Sequence, residues 1–125
     1  MKVSEIMNKA IAIEHDIPLK EAAQIMSRKN IGSLIILRKD KIAGIITERD
    51  VMKNISSLGS KVSNSMSKNV ITIDDDESID NAALVMTKNK IKRLPVLEKG
   101  KLVGIITATD IIANSDILNE DFLLD

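Results

Sequence analysis

The 125-residue sequence contains no cysteine, tryptophan or tyrosine, and Phe122 is its only aromatic residue. The absence of cysteine excludes disulfides, thiolate catalysis and zinc sites with cysteine ligands. With a single aromatic ring there is no platform on which the bases of a nucleic-acid strand can stack. Eighteen basic and eighteen acidic residues give a net charge of zero, so the basic surface typical of nucleic-acid-binding proteins is missing as well. We therefore expect no nucleic-acid partner.

Long apolar runs are also missing. None approaches the roughly 20 residues that a membrane-spanning helix needs, and residues 1–6 lack the apolar region of a secretory signal. His15 is the only histidine, and the acidic run at 74–77 lacks the alternation and glycine of a calcium loop, so no metal site is expected. Apolar residues still make up 44% of the chain, which is adequate for a folded domain. These features predict a cytoplasmic globular protein without membrane contact.

The sequence contains an internal repeat, which decides the fold argument. Residues 11–55 align without a gap with residues 71–115, at a constant shift of 60 positions. The segment Val-Ser-x-x-Met at 3–7 also returns, at 62–66, with a one-residue slip. The predicted division is therefore a first repeat at 1–58, a second repeat at 59–116 and a C-terminal extension at 117–125.

Each copy reads as a short β-branched strand, an amphipathic helix, two apolar strands joined by a polar turn, and a second helix. Pro18 and Ser78 stand where the first helices begin, as an N1 proline and an N-cap serine would. The predicted fold class is α/β (α+β), with two β-α-β-β-α repeats. Because a unit of about 50 residues buries too little surface alone, we expect the repeats to pair with pseudo-two-fold symmetry. Their sheets then pack face to face and leave two related clefts.

The most informative motif is G-x-x-T-x-x-D, which occurs at 44–50 and again at 104–110. A threonine followed three residues later by an acid is a capping arrangement for a helix. The same geometry suits a nucleotide, because the helix N-terminus and the threonine hydroxyl can contact phosphate, and the aspartate can accept hydrogen bonds from a ribose diol. The spacing leaves both interpretations open, although its presence in both copies argues against accident.

The repeat, the Ala-Ala pairs at 22–23 and 82–83, the strand Ile91–Val96 and both G-x-x-T-x-x-D segments together resemble a tandem pair of CBS (cystathionine-β-synthase-type) domains, known as a Bateman module. The resemblance covers residues 3–115 and implies a regulatory module that binds adenosine-containing ligands between its repeats. It implies that Asp50 and Asp110 hold ribose hydroxyls and that Thr47 and Thr107 contact phosphate.

Further site residues follow from the same resemblance. It implies that aliphatic side chains such as Ile13 and Ile73 flank the adenine, although most buried isoleucines simply pack in a core. It also implies that Lys92 and Arg93, which replace Gly32 and Ser33 of the first copy, reach phosphate at the site of the other copy's aspartate. These two basic residues are equally well explained as ordinary surface charges.

The predicted function is that of a non-catalytic regulatory module for AMP, ADP, ATP or a similar ligand, with no required cofactor. The alternative is a protein–protein interaction or dimerisation module with degenerate, empty pockets. No nucleophile–base pair or dinucleotide G-x-G-x-x-G motif is present, and no residues remain for a catalytic domain. The resemblance implies a homodimer; the apolar stretch at 117–124 is too apolar for a free tail and either supports that association or folds back on its own chain. We expect the pair to stand alone, so that its output is a separate regulated protein, ligand buffering or a change of oligomeric state.

Overall fold

The computed structural model describes residues 1–115. The predicted extension at 117–125, with the apolar stretch used to argue for a dimer, lies outside the described residues. The elements are, in chain order, α1 (Val3–Ile6), β1 (Ala12–Ile13), α2 (Leu19–Lys29), β2 (Ser33–Arg38), β3 (Lys41–Thr47), α3 (Glu48–Lys53), two 3₁₀ turns (Ile55–Ser57 and Val62–Asn64), β4 (Ile73–Asp74), α4 (Ile79–Asn89), β5 (Arg93–Glu98), β6 (Lys101–Thr107) and α5 (Ala108–Ala113). This order confirms the predicted α+β class and the β-α-β-β-α pattern of each repeat.

The chain folds as two compact units that do not follow the sequence repeat at its edges. Among the described residues, the first-repeat unit is 11–70, and the second-repeat unit joins residues 1–10 to residues 71–115. Residues 1–10, which precede the aligned stretch 11–55, therefore fold with the second-repeat unit. Residues 59–70, which precede the aligned stretch 71–115, fold with the first-repeat unit. The predicted division at residues 58 and 59 describes the repetition in the sequence and stays a prediction.

In the first-repeat unit, β1 lies parallel to β2 and β2 antiparallel to β3. The apolar strands need cover, and α2 supplies it with Leu19, Ala22 and Met26, which lie on one face at helical spacing and are buried. Pro18 occupies the N-cap position, one residue before the predicted N1 place. The N–H of Leu19, which has no partner within the helix, donates to the Ser60 carbonyl at 2.8 Å. The segment at 59–70 thus supplies an acceptor for the N-terminus of α2.

The second-repeat unit has the same sheet, in the order β4-β5-β6, and α4 covers it with Ala82 and Met86. Ser78 is the N-cap of α4, as predicted, and its hydroxyl accepts a hydrogen bond from the Asn81 N–H at 3.0 Å. The Ile79 N–H donates to the Met1 carbonyl at 3.1 Å. The Met1 carbonyl therefore accepts a hydrogen bond from the N-terminus of α4, just as the Ser60 carbonyl accepts one from the N-terminus of α2.

Pro95 makes the two sheets differ at one position. In the first repeat the Ile35 N–H donates to the Ile11 carbonyl at 3.0 Å. Pro95 occupies the corresponding place in β5 and has no N–H to donate. The parallel pairing of β4 accordingly begins at Ile73 opposite Val96, one residue later than the pairing of β1, which begins at Ala12.

Among the helices of residues 1–115, none is both long and apolar enough to span a bilayer.

Candidate functional site

The first T-x-x-D motif joins β3 to α3 through a reciprocal set of hydrogen bonds. Thr47 is the N-cap of α3, and its Oγ1 accepts from the Asp50 N–H at 3.3 Å. In return, Oδ2 of Asp50 accepts from the Thr47 N–H at 2.9 Å and from its hydroxyl at 3.0 Å. This is a capping box, in which the two residues satisfy donors that the helix start leaves unpaired. The structural interpretation of the motif is thus confirmed.

The second motif repeats this arrangement at the start of α5. Oγ1 of Thr107 accepts from the Asp110 N–H at 3.2 Å, and Oδ2 of Asp110 accepts from the Thr107 N–H at 2.9 Å and its hydroxyl at 2.8 Å. Both aspartates are half-buried. The structure therefore presents two equivalent carboxylates, each held by its own threonine.

The capping box leaves each carboxylate with spare acceptor capacity. A carboxylate has about four acceptor positions on its two oxygens, and within residues 1–115 the hydrogen bonds that the carboxylates of Asp50 and Asp110 accept all reach Oδ2. Oδ1 of each residue is therefore available to a hydroxyl donor such as a ribose diol. The threonine hydroxyl, by contrast, has only one hydrogen and already donates it to Oδ2. It must exchange that bond before it can donate to phosphate.

Lys92 and Arg93 lie where β5 begins in the second-repeat unit. The Lys92 carbonyl accepts from the Ala108 N–H at 2.8 Å, and Arg93 is the cross-strand partner of Thr107. Directly opposite residues of an antiparallel pair project to the same face of the sheet, so Arg93 and Thr107 share a face. The residues predicted to act with Lys92 and Arg93 belong to the first-repeat unit, and that association stays a prediction.

The two predicted adenine-flanking isoleucines lie in the hydrophobic cores. Ile73 is 6% exposed and belongs to the core of the second-repeat unit, whereas Ile13 is half-buried and packs against the core of the first. Their structural role is burial between sheet and helix. Contact with a ligand base stays a prediction for both.

A residue that the sequence analysis did not single out reaches the second motif. The amide of Asn8 donates from Nδ2 to Oδ2 of Asp110 at 2.8 Å. The alignment of Val-Ser-x-x-Met at 3–7 with 62–66 places Asn8 opposite Ser67, and this difference between copies was the available signal. Sequence alone did not show that residue 8 folds beside the second motif. Within residues 1–115 no group of three or more histidine or acidic residues is arranged to hold a metal ion.

Comparison with known proteins identifies the family of this arrangement. The family model described as CBS domain matches residues 3–57 and again residues 60–116. Inosine-5'-monophosphate dehydrogenase of Thermoplasma acidophilum is 38% identical over 108 residues, and the match covers 86% of this chain but only 22% of the enzyme. A 17.7 kDa protein of Acidianus ambivalens, from the bps2 3' region, is 34% identical over 115 residues, with 88% of this chain and 70% of that protein covered.

A solved structure with high coverage and substantial identity is also similar to this chain. It is the CBS domain pair of protein MJ0100 in complex with 5'-methylthioadenosine and S-adenosyl-L-methionine. The TM-score is 0.84 and the sequence identity 34%, over 90% of this chain and 94% of that chain.

Proposed function

This chain belongs to the CBS-domain family, and we propose that it is a regulatory module whose two T-x-x-D motifs bind adenosine-containing ligands such as AMP, ADP or ATP. The observation that carries this proposal is the duplicated carboxylate. In each repeat Oδ2 is fixed by a threonine while Oδ1 is left to accept from a ligand. A carboxylate held in one orientation can receive the two hydroxyls of a ribose, because hydrogen bonds to an ionised acceptor are the strong ones.

The ligands of the related pair support this class of molecule. 5'-Methylthioadenosine and S-adenosyl-L-methionine, which the MJ0100 pair holds, share an adenosine group and therefore a ribose diol. The phosphate of AMP is the feature that these two ligands lack, so phosphate recognition rests on residues of this chain alone. The residues that we propose as ligand contacts are Thr47, Asp50, Thr107 and Asp110 for ribose and phosphate, Lys92 and Arg93 for phosphate, and Ile13 and Ile73 beside the base.

We assign no catalytic step to this chain. Its similarity to the dehydrogenase covers 22% of that enzyme, and the capping threonines use their hydroxyl hydrogens within the motif. A change in ligand occupancy then acts on a regulated protein partner or on the oligomeric state.

A second candidate function is protein–protein interaction, and one observation favours it. Met52 on α3 is 70% exposed, and Ile112, at the corresponding position on α5, is 57% exposed. A large apolar side chain is thus exposed at the corresponding place in each repeat, and covering it with another protein is favourable. We propose a second copy of this chain as that partner, in agreement with the homodimer expected from the sequence.

A thermal-shift panel separates ligand sensing from a purely structural module. AMP, ADP, ATP, NADH and S-adenosyl-L-methionine are each added to the wild type and to the Asp50→Ala/Asp110→Ala variant. A ligand that binds only the folded state raises the free energy of unfolding by RT ln(1 + [L]/Kd), and the melting temperature rises with it. Ligand sensing predicts a rise for at least one compound in the wild type and none in the variant. No rise for any compound favours the interaction module.

A further inference from the structure

The segment that contains Asn8 is anchored to the second-repeat sheet by its backbone. The Asn8 N–H donates to the Ile105 carbonyl at 2.8 Å, and the Ile105 N–H donates to the Asn8 carbonyl at 2.9 Å. Next to it, the Met7 side chain packs where Gly104 has no side chain: a Cβ at Gly104 would lie 2.7 Å from the methionine sulfur. Asn8 therefore has a fixed backbone position from which its side chain reaches Asp110.

The hydrogen bond from Asn8 gives Oδ2 of Asp110 a third donor. That oxygen accepts from the Thr107 N–H, from the Thr107 hydroxyl and from Nδ2 of Asn8, at 2.9, 2.8 and 2.8 Å. An oxygen has two lone pairs, which the two Thr107 donors already fill, so the Asn8 amide is one donor more than the corresponding oxygen of Asp50 carries. A ligand hydroxyl that approaches Oδ2 must displace the amide, and a diol that needs both oxygens of the carboxylate competes with Asn8.

The first repeat lacks this competitor. Ser67 occupies the corresponding position and makes the same two backbone bonds, both of 3.0 Å, with Ile45. Within residues 1–115, however, no hydrogen bond joins the Ser67 side chain to Asp50, whose Oδ2 accepts only from Thr47. The two motifs thus have the same capping box, and they differ in the hydrogen bond that Asn8 donates to Asp110.

We infer that Asn8 is a specificity-determining residue that occupies the Asp110 carboxylate and weakens its affinity for a ribose diol relative to Asp50. This inference rests on the proposed function. The two corresponding segments that contain Asn8 and Ser67 therefore give the sites different strengths, because the amide of Asn8 reaches its carboxylate and the side chain of Ser67 does not.

Reciprocal exchange of these two residues tests the inference. AMP binding is measured by calorimetry in an Asp50→Ala background, which leaves the Asp110 site, with and without Asn8→Ser. It is measured at the Asp50 site in an Asp110→Ala background with and without Ser67→Asn. We expect Asn8→Ser to tighten AMP binding about tenfold, the value of one charge-assisted hydrogen bond, and Ser67→Asn to weaken it by a similar factor. The gain should shrink with 2'-deoxy-AMP, which lacks one hydroxyl of the diol.

The outcomes separate this inference from the function on which it rests. If AMP binds but neither exchange changes its affinity, the role of Asn8 is wrong and the proposed function stands. If neither the wild type nor any variant binds AMP, the proposed function falls and the inference with it. Asn8→Ala is a second variant that removes the same donor, and cooperative melting of each variant confirms that the fold is intact.

Discussion

The Ser63 hydroxyl donates a hydrogen bond to Oδ2 of Asp16 at 2.6 Å, and the Ser63 N–H donates to Oδ1 at 3.0 Å. These bonds tie the segment after the first repeat to the turn that precedes α2. They also hold the pKa of the Asp16 carboxyl below its ordinary value, with the hydroxyl bond as the largest cause and the backbone bond next. The Val62 N–H, which donates to the Ile17 carbonyl at 2.9 Å, joins the same two segments.

We predict that Asp16→Asn lowers the urea midpoint of unfolding at pH 7, because an amide replaces a charged acceptor of two hydrogen bonds. Since the folded pKa is depressed, the contribution of Asp16 is fully present above about pH 4 and is lost as the pH falls through the lowered folded pKa. The difference between wild type and variant should therefore be largest near neutrality and should disappear in acid. Denaturation curves from pH 7 down to about pH 2.5 measure it.

Asp76→Asn is the matched control, because Asp76 occupies the corresponding turn of the second repeat. Within the described residues no side-chain hydrogen bond joins Asp76 to Ser4, the counterpart of Ser63. Its midpoint at pH 7 should stay near that of the wild type. Equal effects of the two substitutions would contradict the role assigned to Ser63.

Gly44 allows the segment at 59–70 to lie close against β3. A Cβ at Gly44 would meet the Ser67 carbonyl oxygen at 2.9 Å as well as the Met66 side chain. Backbone cannot give way as a flexible side chain does, so we predict that Gly44→Ala destabilises the protein by about 1–3 kcal/mol. Gly59→Ala is the control, because nothing lies within 4 Å of its Cβ. If urea denaturation gives the same midpoint for both variants, the segment at 59–70 does not lie tightly against Gly44.

The elements inside each repeat were predictable because they depend on local patterns. The apolar runs predicted β2, β3, β5 and β6, and the threonine–acid spacing predicted the starts of α3 and α5. The spacing of Leu19, Ala22, Ala23, Ile25 and Met26 predicted one apolar face on α2, and the structure buries Leu19, Ala22 and Met26 of that set.

The exchange of segments between repeats was not predictable from these patterns. Whether residues 1–10 fold with the following repeat or with the distant one depends on chain reach and on close approach at Gly104, neither of which leaves a periodic signal. The hydrogen bond from Asn8 to Asp110 follows from that exchange. The proline at 95, which moves the start of β4 by one residue, was visible in the sequence, but its effect depends on the sheet register.

The substitution of Gly32 and Ser33 by Lys92 and Arg93 predicts unequal ligand sites. From the sequence, Arg93 strengthens phosphate binding at the Asp50 site, and a charge-assisted contact of this kind contributes about 1.5–3 kcal/mol, or roughly tenfold to a hundredfold in affinity. We predict that Arg93→Ala weakens AMP binding in an Asp110→Ala background and that the wild-type affinity there falls as salt rises. If Arg93→Ala instead weakens only the Asp110 site, Arg93 acts beside its cross-strand partner Thr107.

The exposed pair Met52 and Ile112 predicts how the chain self-associates. We expect sedimentation equilibrium at micromolar concentration to give a dimer, because covering two large apolar side chains per chain is favourable. Met52→Lys/Ile112→Lys should shift the population toward monomer without loss of the fold, since both side chains are exposed. A monomeric wild type, or a double variant that dimerises as strongly, would rule out a role of these two side chains in dimerisation.

The central claim, that the two held carboxylates bind the adenosine group, is tested most directly by calorimetry of AMP with the wild type and with Asp50→Ala/Asp110→Ala. The variant loses two capping interactions, each of about 1 kcal/mol, and should still melt cooperatively. We predict measurable binding to the wild type and none to the folded variant. An equal affinity of both proteins for AMP would contradict the claim.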